Sequence, residues 1–336
     1  MSSEKSSPIV LLHESFPDSA RQDELDALVQ VEEVSAALER LGWRIATLAI
    51  DLDIGNWLRK LHDMRPTCVF NLVESLGGHG RLIPVVPSVL AANGIAFTGA
   101  DSDSLSLSSQ KLIAKRWMAL HGIPTPAWRE PGDAATCDDR QWIVKAVWEH
   151  ASLGIDDDSV VRGRDALDEL FERRQEVYGG EWFAERFIDG REFNISIIEE
   201  DGRPRVLPIA EINFVDFPAD KPRIVGYAAK WDTSAPEYIR TPRCFPELPR
   251  GRQQKLVDVA RKCWKIFALR GYARVDIRLD RRGVPWVLEV NANPCLSSDA
   301  GFAAAATEGN LAYEQVIEAI VDAALRTERR RFEAIS

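Results

Sequence analysis

The stretch WVLEVNANP, Trp286 to Pro294, decides how this chain is read. Its Trp, Val and Leu suit a strand, but Glu289 interrupts the apolar run and two asparagines follow. A buried carboxylate without a partner is strongly unfavourable unless it is hydrogen-bonded or bound to a metal. The segment just upstream, ARVDIRL (273–279), explains the interruption. On a strand, Val275, Ile277 and Leu279 point one way and Arg274, Asp276 and Arg278 the other. Trp286, Leu288 and Val290 share one face, and Val287, Glu289 and Asn291 the opposite one. Joined through DRRGV (280–284), the two segments form a hairpin whose register should set apolar against apolar. One register does so, with Leu279 opposite Trp286, Ile277 opposite Leu288 and Val275 opposite Val290. It also sets Asp276 opposite Glu289, and Arg274 opposite Asn291.

Two carboxylates directly across a ladder repel each other, and a divalent cation between them removes the repulsion. Asp276, Glu289 and the Asn291 carbonyl are hard oxygen donors suited to Mg²⁺, which takes phosphate oxygens as further ligands. On this reading the face is a Mg-nucleotide platform, with Arg274 and Arg278 nearby to bind anions. The alternative is a solvent-exposed face whose charges pair as Arg–Glu. The hairpin alone leaves both open.

Outward from the hairpin, PIVLLH (8–13), RIATLAI (44–50) and CVFNLV (68–73) are apolar runs fit for buried parallel strands. Helical spacing of Leu28, Val31, Val34 and Leu38 predicts a helix over 23–42, and a second follows at 54–64. Strands alternating with helices point to a parallel α/β unit over 1–100. A Gly-rich loop, ESLGGHG (74–80), follows the third strand, where open α/β sheets bind ligands; a flexible turn explains it equally well. It leads into an apolar helix (82–92). One helix is predicted over 106–122, capped by a serine near 108. Strands at 141–147 and 181–188 flank a helix near 165–178, and Asp201-Gly202 marks a hairpin turn. Loops and short strands are expected over 216–250, then helices at 252–270 and 311–330.

The 336 residues are 45% hydrophobic and carry a net charge of −10, which argues against a nucleic-acid surface. The N-terminus reads as lacking a signal peptide, and no apolar run reaches the ~20 residues a membrane span needs. Cys68, Cys137, Cys244, Cys263 and Cys295 are scattered, as expected of reduced thiols, and a cytoplasmic location is expected.

RVDIRLD…GVPWVLEVNANP resembles the metal-binding hairpin of ATP-grasp enzymes, specifically the D-alanine–D-alanine ligase group. FNLVESLGGHG, FTGADSDSLSLSSQKLIAKRWMALHGIPTPAW, WIVKAVWEHASLG and FAERFIDGREFNISI resemble other segments of that group in the same order, over roughly 68–325. The resemblance implies an ATP-grasp fold of class α/β, α+β in the ATP-binding part. A Rossmann-like unit (1–100) would precede a central subdomain (101–190) and a C-terminal one (191–336) that clamp ATP. It implies that Lys111 and Lys145 contact phosphates, and that the loop Glu149 to Gly154, with Ser152, folds over them. Glu185 would accept from the adenine amino group, with Phe187 and Ile188 beside the base, and Glu192 would take the ribose hydroxyls. Lys230 would reach the γ-phosphate. Asp276, Glu289 and Asn291 would hold two Mg²⁺ ions, with Mn²⁺ able to substitute. Arg274 would stabilise the transferring phosphoryl group. Arg274, Lys230 and Ser152 are thus the expected catalytic residues.

The departures from the group's pattern fall on the substrate side. Glu74 stands where the group has histidine, and CLSSDAG (295–301) replaces its Gly-Met-Thr run and following serine. Glu74, Gly78, Cys295, Leu296 and Asp299 are the candidate substrate residues, with Glu74 and Asp299 pointing to a cationic group. The expected activity is therefore an ATP-dependent carboxylate–amine ligation with an altered amino-acid substrate. Genuine D-alanine–D-alanine ligation and a catalytically silent ATP-binding regulator are the alternatives. A nicotinamide dehydrogenase is set aside because GxGxxG is missing after the first strand. The expected partners are a small carboxylate and an amine, neither nucleic acid nor membrane, with a homodimer suggested by the resemblance.

Overall fold

A computed structural model describes residues 7–16, 22–133, 140–148, 152–218 and 221–335. The first unit is a parallel sheet of β1 (Ile9–Glu14), β2 (Ile45–Ile50) and β3 (Cys68–Asn71) in the order β2-β1-β3. The central β1 is buried along its apolar run, as the unbroken Ile9–Leu12 stretch requires of a strand covered on both faces. Helices α1 (Gln22–Arg40), α2 (Ile54–Met64) and α3 (Val85–Ala92) belong to this unit. Asp53 caps α2 by accepting from the Asn56 amide, and Arg65 ends it in the left-handed conformation just before Pro66.

The single helix predicted over 106–122 is two helices, α4 (Ser102–Ser109) and α5 (Lys111–Leu120), with an extended residue, Gln110, between them. The serine cap expected near 108 is replaced by Gln110, whose side chain accepts from the Ile113 amide. The break has a consequence for the cleft, because it makes Lys111 the first residue of α5 and buries it.

A four-stranded sheet follows in the order β4-β7-β5-β6, from β4 (Trp128–Arg129), β5 (Gln141–Ala146), β6 (Val160–Arg162) and β7 (Trp182–Arg186). Helix α6 (Arg164–Tyr178) packs Leu167, Leu170 and Phe171 against Trp142, Val144 and Trp182. The third sheet holds β8 (Gly190–Glu200), β9 (Arg203–Val206) and β10 (Ala210–Ile212). Asp201 and Gly202 both take positive φ in the β8–β9 hairpin, as a primed two-residue turn demands. Where loops and short strands were expected over 216–250, the chain forms α7 (Tyr227–Trp231), α8 (Pro236–Arg240) and β11 (Arg243–Cys244). Pro236 opens α8 at a position where a missing amide costs nothing.

After α9 (Arg250–Ile266), β12 (Tyr272–Asp280) lies between β8 and β13 (Pro285–Asn291), all antiparallel. Phe193, Ile195, Ile197, Val275 and Ile277 face a core shared with Leu256, Ala260 and Cys263 of α9. The expected register holds for Arg274↔Asn291, Val275↔Val290 and Asp276↔Glu289. Beyond Asp276 a bulge shifts it, so Ile277 meets Val287 and Leu279 meets Pro285, in place of Leu288 and Trp286. The bulge reverses three expected orientations, with Trp286 now paired to Arg278 on the polar face. Val287 is fully buried, worth roughly 1.5–3 kcal/mol of apolar burial, while Leu288 turns to the cleft beside Glu289. Val287 also donates its amide to Pro124 and its carbonyl accepts from the Thr125 hydroxyl, which ties the bulged strand to the connector after α5. Helices α10 (Gly301–Glu308) and α11 (Tyr313–Ile335) close the chain, and α11 packs Ile317 and Ile320 into a core with Ile9, Leu11 and Phe70 of the first sheet.

Candidate active site

A cleft of about 680 Å³ runs between the four-stranded sheet and the polar face of the third sheet. Its floor follows from ladder geometry. β12 presents Arg274, Asp276 and Arg278, and β8 sets Ser196, Asn194 and Glu192 opposite them in turn. β13 adds Asn291 beside Arg274 and Glu289 beside Asp276. The alternation that sends Val275 and Ile277 into the core therefore sends three rows of polar side chains into one cleft.

At one end of the cleft, Glu185 of β7 is buried between two lysines. Its Oε1 lies 2.6 Å from Lys145 Nζ, and its Oε2 lies 2.5 Å from Lys115 Nζ. Lys115 is held in turn by the Thr125 hydroxyl at 2.9 Å and the Pro126 carbonyl at 3.3 Å. Burial works to raise the Glu185 carboxyl, but the two ammonium groups win and hold it below the usual carboxylate range. Phe187 and Ile188, Lys111 and Ser152 line the same end. Ser152 takes a positive φ of 61° and donates its hydroxyl to the Val225 carbonyl at 3.1 Å, so Ser152 is clasped to the segment before α7.

On the floor, Arg274 grips Asp276 through both oxygens, Nε to Oδ1 at 2.8 Å and Nη2 to Oδ2 at 2.9 Å, and Asn194 donates to Oδ1 at 2.8 Å. Burial works against the Arg274 cation, yet Asp276 and Glu289 more than offset it and raise its pKa above the ordinary range. Lys230 moves the other way. Burial and the neighbouring Arg274 lower it, against the pull of Glu289, Asp276 and Glu192. The donor set fits a hard divalent cation: two carboxylates face each other with an amide carbonyl beside them. Asn291 Oδ1 is oriented by the Asn293 amide at 2.9 Å. Asn293 itself donates to the Val73 carbonyl and accepts from the Tyr272 hydroxyl, anchoring the end of β13 to the first unit. Among the described residues no group of three or more His, Cys, Asp or Glu gathers as a metal cage, so an ion here would draw its remaining ligands from phosphate and water.

A family model described as D-ala D-ala ligase C-terminus matches residues 141–322. The chain belongs to the D-alanine–D-alanine ligase family. A D-alanine–D-alanine ligase of Carboxydothermus hydrogenoformans is 28% identical over 298 residues, covering 85% of this ligase and 89% of the relative. The uncharacterized protein y4sG of Sinorhizobium fredii is 30% identical over 262 residues, 77% of this ligase and 74% of that protein. The crystal structure of a D-alanine–D-alanine ligase from Bacillus anthracis complexed with ATP superposes with a TM-score of 0.76 at 21% identity, over 97% of this ligase and all (100%) of that chain. The fold is the ATP-grasp fold that the ordered set of resembling segments implies, and the chain is an ATP-grasp ligase.

The ligase brings Lys111, Lys145, Ser152, Glu185, Phe187, Ile188, Glu192, Lys230, Arg274, Asp276, Glu289 and Asn291 to the wall of one cleft. Glu149 lies outside the described residues. Gly154 is not on the wall. Its φ of +67° and the Trp182 ring, 2.6 Å from where a Cβ would sit, make it a backbone requirement of the loop. Of the substrate candidates, Glu74, Cys295 and Asp299 line the far end, but Gly78 and Leu296 do not. The Gly78 amide is turned to Glu14, which also accepts from the Ser75 hydroxyl and so holds the Gly-rich loop onto the end of β1. Leu296 is fully buried in the core with Phe302, its amide donating to Gln30. Arg278, expected to bind anions, has its guanidinium committed to protein partners.

Sequence reasoning missed Lys115, Asp26 and Arg243. Lys115 had a signal, because it stands one turn from Lys111 on the buried face of α5 with Met118. Asp26 and Arg243 had none. Asp26 reaches Cys295 Sγ at 3.4 Å from a helix far away in sequence, and Arg243 donates to the Asp299 carbonyl at 3.3 Å from a two-residue strand. Around Cys295 the field is acidic. Burial, Glu74 and Asp26 all raise its thiol, and burial, Asp299 and Glu33 raise Asp26. No helix among the described residues is long and apolar enough to cross a membrane.

Proposed function

We propose that this ligase joins two amino acids by an amide bond through an acyl phosphate formed from ATP, with D-alanine as the substrate at both positions. The observation that carries the ligation chemistry is the floor of the cleft, where opposed Asp276 and Glu289 lie beside Arg274 and Lys230. Asp276, Glu289 and Asn291 would hold Mg²⁺. When bound, the ion supplies charge neutralisation for phosphate oxygens. Lys111 and Lys145 bind phosphates as point charges, Ser152 and its loop cover them, and Lys230 binds the γ-phosphate. Glu185 takes the adenine amino group, Phe187 and Ile188 flank the base, and Glu192 takes the ribose hydroxyls. Lys145 and Arg274 hold protein carboxylates in this structure, so both exchange partners when nucleotide enters.

A carboxylate oxygen of the first amino acid attacks the γ-phosphorus, and ADP leaves with the electron pair of the broken P–O bond. Phosphoryl transfer of this kind depends on positioning and charge neutralisation more than on covalent help from the protein. The amine of the second amino acid then attacks the acyl carbon, inorganic phosphate leaves, and the nitrogen gives up its proton. Arg274 stabilises the charge that develops on the phosphoryl and acyl oxygens.

The curated relatives named D-alanine–D-alanine ligase favour D-alanine over the altered substrate expected from the sequence. One observation favours a second reading, an amino acid with a cationic side chain: Asp26, Glu74 and Asp299 all line the end of the cleft at Cys295. Phosphate release from Mg-ATP across a panel of D- and L-amino acids, with mass spectrometry of the products, separates the two. D-alanyl-D-alanine as the best product supports the first, and a product containing a basic residue supports the second. Tight nucleotide binding with no phosphate release from any pair would instead mark a catalytically silent ATP-binding regulator.

A further inference from the structure

Arg278 on the cleft floor makes four hydrogen bonds, and its partners come from three parts of the chain. Its side chain is 4% exposed. Nε and Nη2 donate to the same oxygen of Glu192, Oε2, at 3.0 and 2.7 Å. Nη1 donates to the Ile188 carbonyl at 2.9 Å, and Nη2 also donates to the Arg223 carbonyl in the segment before α7. The guanidinium carbon lies 5.1 Å from the Phe187 ring and 5.9 Å from that of Phe214. A guanidinium with this many protein partners has little capacity left for a phosphate. Its effect must pass through the groups it holds.

Those groups are the ones that face a nucleoside. Both bonds to Glu192 end on Oε2, which pins that oxygen in place and leaves Oε1 for a donor in the cleft. Ile188 ends the segment beside the base, and Arg223 lies two residues from Val225, which receives the Ser152 hydroxyl. A planar fork can hold these acceptors at once, and an ammonium group cannot. We infer that Arg278 is a positioning residue for the sugar of the nucleotide: it locks Glu192 so that Oε1 meets the ribose hydroxyls, and it ties that carboxylate to the base edge and to the segment that holds Ser152. The inference rests on the ATP reading above and adds to it a residue that sets the preference for a ribose over a deoxyribose.

Isothermal titration of the full chain with ATP, 2′-deoxy-ATP and 3′-deoxy-ATP tests it, on wild type, Arg278→Met, Arg278→Lys and Glu192→Gln. Wild type should prefer ATP over at least one deoxy analogue by about ten- to hundredfold, the range of one charged hydrogen bond. Arg278→Met should weaken ATP by about tenfold and cut that preference below about threefold, while analogue binding hardly moves. Arg278→Lys should fall between, and Glu192→Gln should reduce the preference as well. If Arg278→Met weakens ATP and analogue alike and keeps the ratio, the side chain is only structural and the inference fails. Should Arg278→Met not fold by circular dichroism, Arg278→Lys decides, and a wild-type ratio there overturns the proposal. A wild type that binds ATP with no hydroxyl preference sinks the inference alone. A wild type that binds no ATP removes the nucleotide reading beneath it.

Discussion

The two ends of the cleft handle charge in opposite ways. At the end proposed for the nucleotide three carboxylates have cations against them: buried Glu185 has Lys115 and Lys145, half-buried Glu192 has Arg278, and half-buried Asp276 has Arg274. These side chains stand on strands and on helix α5, so their directions are set by regular elements and not by loops. At the far end Asp26, Glu74 and Asp299 gather around Cys295, and the pKa shifts of Asp26 and Cys295 run toward the neutral forms. Arg243, a cation at this end, is bonded to a backbone carbonyl. A pre-paired end is ready for a ligand whose charges are always the same, and an end lined by several carboxylates suits a ligand that brings its own cation. The ammonium group of any amino acid meets that need, and a basic side chain would meet it further.

The largest effect should come from breaking the paired end. Glu185→Ala leaves two lysines facing each other in a dry site, and removing one member of a buried pair costs about 3–5 kcal/mol. Urea unfolding should show that loss, and a change under about 1 kcal/mol would mean the pair behaves like a surface one. Next is Glu289→Gln. If Glu289 holds the ion as proposed, its loss should cut Mg-dependent turnover by at least about 100-fold, the upper range for a residue one shell further out. The unfolding midpoint should stay near wild type, because the change relieves repulsion with Asp276 across the ladder. Turnover that survives the substitution would place the ion elsewhere.

The same contrast explains what the sequence could reveal. Asp276, Glu289, Lys145 and Glu185 interrupt apolar strands, and period-two alternation turns such an interruption into a face. That logic gave three correct pairs of the hairpin and then failed at Leu288, because a bulge adds one residue without leaving a mark in the residue types. Gln110 was missed for a related reason: a glutamine capping its own helix reads as one more helical residue. Asp26, Glu74, Arg243 and Asp299 meet only because α1, the Gly-rich loop, β11 and the turn before α10 converge in space, and no spacing in the chain encodes that.

Lys230 offers a smaller effect with a definite sign. Burial and Arg274 hold its pKa below the ordinary lysine value of 10.5, so it loses its proton earlier than a solvated lysine as pH rises. Binding of ATP should therefore weaken on the alkaline side before pH 10.5, by roughly tenfold per pH unit once the group titrates. Stability moves oppositely. The unfolded lysine holds its proton more firmly, so this group makes the folded state gain stability between its folded pKa and 10.5. Lys230→Arg keeps the charge and should push the alkaline limb upward, and an unmoved limb would assign it to another group.

The smallest effect tests the acidic end directly. Burial, Glu74 and Asp26 raise the Cys295 thiol, so at neutral pH its thiolate is scarcer than that of an unperturbed cysteine near ~8.5. Alkylation by neutral iodoacetamide, followed by peptide mapping, should then be at least about tenfold slower than for a free cysteine. Iodoacetate should be slower still by a few-fold, since its carboxylate must approach Asp26, Glu74 and Asp299. That second ratio isolates charge from access, because the two reagents are nearly the same size. High salt should shrink it, and saturating the cleft with a cationic amino acid should protect the thiol from both reagents. Equal rates for the two reagents at low salt would mean that the three carboxylates do not act on Cys295 together. The case for a substrate with an added cation would then lose its support, leaving D-alanine alone.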